Sequence, residues 1–110
     1  MSPQQPSPEG PIGSELIKDD PSFADIVQEF VNGLSERLAV METAVSHSDF
    51  EALRVAAHQL KGSGGGYGYP VLSERAAVLE RHARAEAIDN CADAVSELKD
   101  VCSRVVVDAQ

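Results

Sequence analysis

Apolar residues recur at three- and four-residue steps along most of this chain, a spacing that predicts amphipathic helices rather than strands. The longest stripe runs through Phe23, Ile26, Val27, Phe30, Leu34, Leu38, Met41 and Val45. Its helix is expected to start near Asp20-Pro21, since Asp suits an N-cap and Pro the first helical position. Gly33 falls inside that stripe and costs about 1 kcal/mol against Ala in a helix interior. A break follows at Ser46-His47-Ser48. Ser48 and Glu51 then read as a Ser-x-x-Glu capping box for a second helix, whose buried stripe is Phe50, Leu53, Ala57 and Leu60. A third helix is expected from Pro70, with Leu72, Ala76, Leu79 and Ala83 facing inward. A turn at 87–89 leads into a fourth, where Ile88, Cys91, Val95, Leu98, Cys102 and Val105 repeat. Val105-Val106-Val107 is the one strand-like run; it is short and continues the helical register. Four amphipathic helices with short connections predict an all-α fold, an antiparallel four-helix bundle.

The ends of the chain differ from this middle. Residues 1–11 hold four of the six prolines together with Ser, Gln and Gly, the composition of a disordered tail or linker. Residues 12–18 are expected to form a short helix closing one end of the bundle, with Ser14 as its N-cap. The expected division is a tail at 1–13 and the bundle at 14–110. A length of 110 residues suits one domain with one modest core. With no Trp, two Tyr and three Phe, that core has to be built mainly from Leu, Val, Ile and Ala.

Net charge changes the range of partners. At −9, the field around the protein repels phosphate backbones and anionic lipid, so neither nucleic acid nor a membrane surface is expected to bind. No apolar run approaches the roughly 20 residues needed to span a bilayer. The first ten residues lack the basic and apolar regions of a signal peptide. A cytoplasmic location is expected, with Cys91 and Cys102 as reduced thiols. Those cysteines lie about 16 Å apart along one predicted helix, too far for a mutual disulfide, and read as small core residues.

The chemistry concentrates in residues 56–70, AAHQLKGSGGGYGYP. Its glycines invite a nucleotide-binding reading, which fails on spacing. A P-loop places Lys after the glycines and a strand before them; here Lys61 precedes them and a helix leads in. The dinucleotide fingerprint Gly-x-Gly-x-x-Gly also fails, because the third glycine position after Gly64 and Gly66 is Tyr69. A flexible helix connection would remain, but for His58. On a helical wheel at 49–64, Phe50, Leu53, Ala57, Leu60 and Gly64 share one arc. Glu51, Arg54, His58, Lys61 and Gly62 share the opposite one. The histidine therefore faces solvent with Arg54 and Lys61 each one turn away. Gly62 leaves bare backbone beside the imidazole, room for another protein to approach.

His58-Gln59-Leu60-Lys61-Gly62-Ser63, followed by Gly68, resembles the signature of histidine-containing phosphotransfer (HPt) domains, His-x-Leu/Ile-Lys-Gly-small with a later glycine where the helix turns. The resemblance covers about residues 15–105. It includes the Phe30 and Leu34 stripe, the Asp49-Phe50 start of the histidine helix and the Leu79-Glu80 pair. It implies a phosphorelay intermediate in two-component signalling, with His58 phosphorylated at Nε2. Lys61 would pair with phosphoryl oxygens, and Glu80 would bond imidazole Nδ1. Arg84 matches a position that is basic in some members. Arg54, Val55, Gly62, Tyr67, Gly68 and Arg84 would form the docking face for response-regulator receiver domains, possible partners including a hybrid sensor kinase. The three glycines at 64–66 exceed the usual pattern and leave open how far the histidine helix continues past Ser63.

The chemistry requires these residue types. A neutral imidazole has one nitrogen with a free lone pair, and a carboxylate holding the Nδ1 proton selects the tautomer with Nε2 exposed. A competing role for Glu80 is a solvated i,i+4 pair with Arg84. No carboxylate cluster near His58 suits Mg²⁺, so by implication the metal and the acceptor Asp belong to the receiver, and the chain carries no cofactor of its own. The bundle has no room for an ATP-binding kinase domain, so it is expected to act with partners rather than as a kinase. His47 and His82 read as surface residues. Two other readings are a non-catalytic module that docks and sequesters a receiver, and a purely structural bundle. The intact His58, Lys61 and Gly62 argue against the first. The lack of an apolar seam beyond the four stripes argues against the second.

Overall fold

A computed structural model describes residues 10–108. Its helices are α1 (Glu15–Asp19), α2 (Ala24–Asn32), α3 (Leu34–Ser46), α4 (Phe50–Gly66), α5 (Pro70–Arg84) and α6 (Ile88–Arg104), with a 3₁₀ turn at Pro21–Phe23. Helices α3 to α6 pack in a ring: α3 against α4, α4 against α5, α5 against α6, and α6 back against α3. This is the antiparallel four-helix bundle the apolar spacing predicts, with α1 and α2 as additions. Among the described residues no helix is long and apolar enough to cross a membrane. Residues 1–9, most of the tail expected from composition, lie outside the described residues.

The core is aliphatic, as the sequence requires. Val27, Met41, Leu53, Ala57, Leu60, Leu72, Ala76, Leu79 and Leu98 are fully enclosed or nearly so. On α6 the buried face is Cys91, Ala94, Val95, Leu98 and Val101; Cys102 is half-buried and both thiols are free. Tyr69 is the one large aromatic with no exposure. Its hydroxyl donates to Val106 O at 2.7 Å, which spares the phenol an unpaired polar tip inside the protein.

Three expectations are corrected by the structure. The long first helix is divided at Gly33. Gly33 is shared by both helices: its N–H donates to Glu29 O and its O accepts from Arg37 N–H, each at 3.2 Å. Gly33 itself has ψ of −4°, well away from the helical value of about −42°, and the two helices meet there. The apolar stripe is divided with it: Val27 and Phe30 are buried from α2 and Leu34, Met41 and Ala44 from α3, whereas Phe23 and Ile26 are exposed. Asp20 caps the 3₁₀ turn rather than a long helix, accepting from Ser22 N–H at 3.0 Å.

The Ser48–Glu51 capping box does not form. Ser48 takes φ of +50° in the turn, and Asp49 is the N-cap of α4, accepting from Ala52 N–H at 3.1 Å. Short polar side chains tolerate the left-handed region that this tight turn imposes. Residues 105–107 also leave the helical register. Val105 is extended and forms an isolated parallel bridge with Ile12, sealed by Val106 N–H to Ile12 O and Ile12 N–H to Arg104 O, each 2.9 Å. Ile12, expected at the start of the short first helix and on the tail side of the division at 13, is instead extended and paired with the C-terminal end of the bundle.

Candidate functional site

Helix α4 carries the site because its two faces are chemically opposite. Leu53, Ala57, Leu60 and Gly64 are buried, so His58 is carried to the outside, where 63% of its side chain is exposed. The helix runs through the glycines to Gly66. Gly64 shows why it tolerates them: a Cβ there would lie 2.9 Å from Leu72 Cβ and 3.2 Å from Ser73 N. The missing side chain lets α4 and α5 approach closely. The turn then needs Gly68, which has φ of +90° and sits against the start of α1. A Cβ there would be 2.6 Å from Ser14 Oγ and would run into Leu16 N. Ser14 caps α1 and donates to Tyr67 O at 2.7 Å, tying that short helix onto the turn.

Close packing of α4 and α5 places Glu80 beneath the histidine. Glu80 is 4% exposed. Its Oε2 lies 3.1 Å from His58 Nδ1 and 2.9 Å from an Arg84 nitrogen, and its Oε1 lies 2.9 Å from Lys61 Nζ. The Lys61 hydrogen bond is the largest cause that holds the Glu80 carboxyl down at about 2; burial opposes it, and His58 and Arg84 reinforce it. An ionised carboxylate only accepts hydrogen bonds. Nδ1 therefore carries the proton and donates to Glu80, and the Nε2 lone pair is left on the opposite, exposed edge of the ring. The i,i+4 pair of Glu80 with Arg84 does form, but Glu80 is buried rather than solvated and bonds His58 and Lys61 as well.

The remaining site residues separate. Arg54 binds Glu51 through two hydrogen bonds, of 2.7 and 3.2 Å. Val55 is exposed. Gly62 is exposed, and a Cβ there would meet nothing within 4 Å. Tyr67 is half-buried and stacks on Phe30, with ring centroids 4.8 Å apart. Gly68 does not belong to the open face. It is buried under α1 and serves the turn. Lys61 and Arg84, expected at phosphoryl oxygens or a docking partner, are engaged with Glu80 here. Beside the histidine an open hollow is lined by Arg37, His58, Gln59, Gly62, Ser63, Gly66 and Tyr67.

Arg37 was not anticipated from the sequence. It comes from α3, twenty-one positions before the histidine, and no local spacing links the two. Its position beside Glu36, off the stripe of Leu34, Leu38 and Met41, was the one available signal. His47 is exposed and its Nδ1 lies 2.9 Å from Thr43 O; His82 is half-buried on α5, away from this hollow. An apolar groove between α3 and the start of α4, lined by Ala39, Val40, Thr43 and Ala52 among others, contains none of the site residues. Among the described residues no three His, Cys, Asp or Glu side chains gather as metal ligands.

An exposed histidine on a bundle helix, backed by a buried carboxylate, has a counterpart among known proteins. A family model described as Hpt domain matches residues 25–107. The chain belongs to the Hpt domain family. Neither the curated proteins nor the solved structures gave a match. Hpt domains are phosphotransfer modules of two-component phosphorelays, and the matched span takes in α4, α5 and the whole His58–Glu80 cluster.

Proposed function

We propose that this Hpt domain accepts a phosphoryl group on His58 Nε2 from the aspartyl phosphate of a receiver domain and passes it to, or returns it from, another receiver. The observation that carries this reading is the held imidazole: Nδ1 bound at 3.1 Å to a buried, ionised Glu80, with most of the ring open to solvent. In the forward step the Nε2 lone pair attacks phosphorus. The bond between phosphorus and the aspartyl oxygen breaks, and the receiver carboxylate leaves. The imidazole gains positive charge, which the Glu80 carboxylate offsets through the Nδ1 proton it already holds. Phosphoryl transfer depends chiefly on positioning and charge neutralisation, and both are supplied without a proton having to move on this chain.

Gly62 leaves the approach to the ring clear, and Val55, Tyr67 and Arg54 flank it as the docking face. Mg²⁺ would be supplied by the receiver's own carboxylates. Contact with the receiver is expected to be transient, at the small end of interface sizes.

The test is to incubate the protein with a phosphorylated receiver and Mg²⁺. A label that is acid-labile and alkali-stable, as a phosphoramidate is, should appear on the wild type and be lost in His58→Gln. His58→Gln should keep the helical fold by circular dichroism, any loss of stability being no more than that of its one hydrogen bond to Glu80. A label of equal strength on His58→Gln would overturn the assignment. A receiver that binds tightly but leaves no label would favour the sequestering module instead.

A further inference from the structure

We propose that Arg37 is the phosphoryl-binding cation of this Hpt domain, its guanidinium contacting the phosphoryl oxygens while the group is on, or arriving at, His58 Nε2. The inference rests on the phosphorelay reading and adds to it a residue from a different helix.

The argument starts with the positive charges. Of the nine Lys and Arg residues, seven pair with carboxylates: Lys18, Arg54, Lys61, Arg75, Arg84, Lys99 and Arg104. Among the described residues Arg37 and Arg81 have no such partner, and only Arg37 lines the hollow beside His58. In a chain of net charge −9, a cation without a counter-ion at the exposed site is the exception.

Ring geometry gives the direction. Nδ1 is committed to Glu80 on α5, together with Lys61 and Arg84. Nε2 is on the other edge of the imidazole. Arg37 reaches the hollow from α3, which packs on α4 separately from α5. The two cations next to Glu80 neutralise the carboxylate side of the ring, which leaves Arg37 for the nucleophilic side.

The guanidinium is also held in place. Its Cζ lies 5.8 Å from the centroid of the Phe30 ring, within the range of a cation–π contact. Phe30 stacks in turn on Tyr67 at 4.8 Å, and Tyr67 lines the same hollow. The contact with Phe30 engages no N–H donor in a hydrogen bond to a carboxylate, so the guanidinium keeps donors for a ligand. Those donors form the fork that matches two oxygens of a phosphoryl group.

A small donor separates this role from receiver docking. N-protonated phosphoramidate gives up ammonia as its P–N bond breaks, and a new P–N bond forms at Nε2, with no receiver present. Arg37→Gln should slow labelling by phosphoramidate on the order of tenfold, the scale of one charge-assisted hydrogen bond. Arg37→Lys should recover part of the rate. The affinity of either variant for an unphosphorylated receiver should stay close to wild type, and melting should fall only slightly, through the lost contact with Phe30. In wild-type protein the Arg37 Nε–H resonance should shift on labelling. A wild-type labelling rate for Arg37→Gln, with no shift at Nε–H, would overturn the proposal. So would a loss confined to receiver affinity, which would make Arg37 a docking residue. Absence of any label on wild-type His58, from phosphoramidate or receiver, would instead overturn the phosphorelay reading itself.

Discussion

Gly62→Ala should make this protein more stable and a poorer phosphorelay partner at the same time. Gly62 lies inside α4, four residues after His58, and a Cβ built there meets nothing within 4 Å. The substitution therefore carries no packing penalty. It removes the backbone entropy cost of a mid-helix glycine, which is about 0.8–1 kcal/mol relative to Ala. For a bundle of this size a gain of about 1 kcal/mol raises the melting temperature by roughly 4–8 °C. The same open space is the approach to the imidazole. A methyl group there stands one helical turn from the ring, where a receiver has to bring its aspartate within bonding distance of Nε2. Displacing reacting groups by about an ångström costs on the order of a hundredfold in rate, and a single methyl on a compliant interface should cost roughly tenfold.

Thermal unfolding followed by circular dichroism gives the first quantity, and rapid-mixing phosphotransfer from a labelled receiver gives the second. Labelling by phosphoramidate, which needs no protein to dock, should stay at the wild-type rate and so shows that the imidazole itself is undisturbed. Higher melting with wild-type receiver transfer would refute the claim that this glycine is present for docking. Lower melting would refute the reading of Gly62 as open space.

Other substitutions read different parts of the same arrangement. Gly64→Ala should have the opposite sign to Gly62→Ala: its Cβ would lie 2.9 Å from Leu72 Cβ, and overpacking of about 1–3 kcal/mol outweighs the helix-propensity gain, so urea denaturation should show net destabilisation. Glu80→Gln should slow transfer to and from His58, and nitrogen NMR of the labelled histidine should show the Nδ1–H tautomer less strongly enforced. The pH dependence follows from the Glu80 carboxyl being held near 2, below its usual 4.5. A depressed value stabilises the fold above the usual value, and that contribution is lost as pH falls from about 4.5 through 2; the stability gap between wild type and Glu80→Gln should close over that interval in acid-titrated melts. Ser14→Ala removes both the α1 cap and the hydrogen bond to Tyr67 O, and should cost about 1–2 kcal/mol in chemical denaturation while leaving phosphoramidate labelling intact.

How much of this was legible in the sequence depends on how local each determinant is. The exposed arc of α4 was readable because periodicity alone separates His58, Lys61 and Gly62 from Leu53, Ala57, Leu60 and Gly64. The Glu80 contact was readable only through resemblance. No spacing rule says that a residue twenty-two positions on will lie under a particular ring; that depends on how closely two helices pack, and Gly64 against Leu72 sets the distance. The divided first helix was missed because a glycine in an apolar stripe has one cost whether the helix bends there or runs on, and the outcome rests on which flank the rest of the protein covers. Ile26 shows this: it fits the stripe but is 47% exposed, because no described element lies over it. Capping at Asp49 rather than Ser48 was likewise decided by the turn, which forced Ser48 to positive φ.

The glycine-rich segment supports the same division between local and non-local causes. On composition it reads as a flexible connection, yet its glycines do three different things. Gly62 clears the approach to the histidine. Gly64 brings α5 close enough for a buried carboxylate to hold the ring. Gly68 turns the chain under α1 at a φ that other residues resist. The last combines backbone freedom with a collision against the start of α1; the other two are matters only of what a side chain would strike, on a partner helix in one case and on an incoming partner protein in the other. Substituting each with Ala should therefore separate three outcomes that glycine content alone cannot distinguish: stabilisation with impaired exchange at 62, destabilisation with a disturbed His58–Glu80 contact at 64, and loss of folding at 68. If all three variants instead lost stability alike, the segment would be acting as one flexible hinge, and the close approach of α4 and α5 would not be what positions the imidazole.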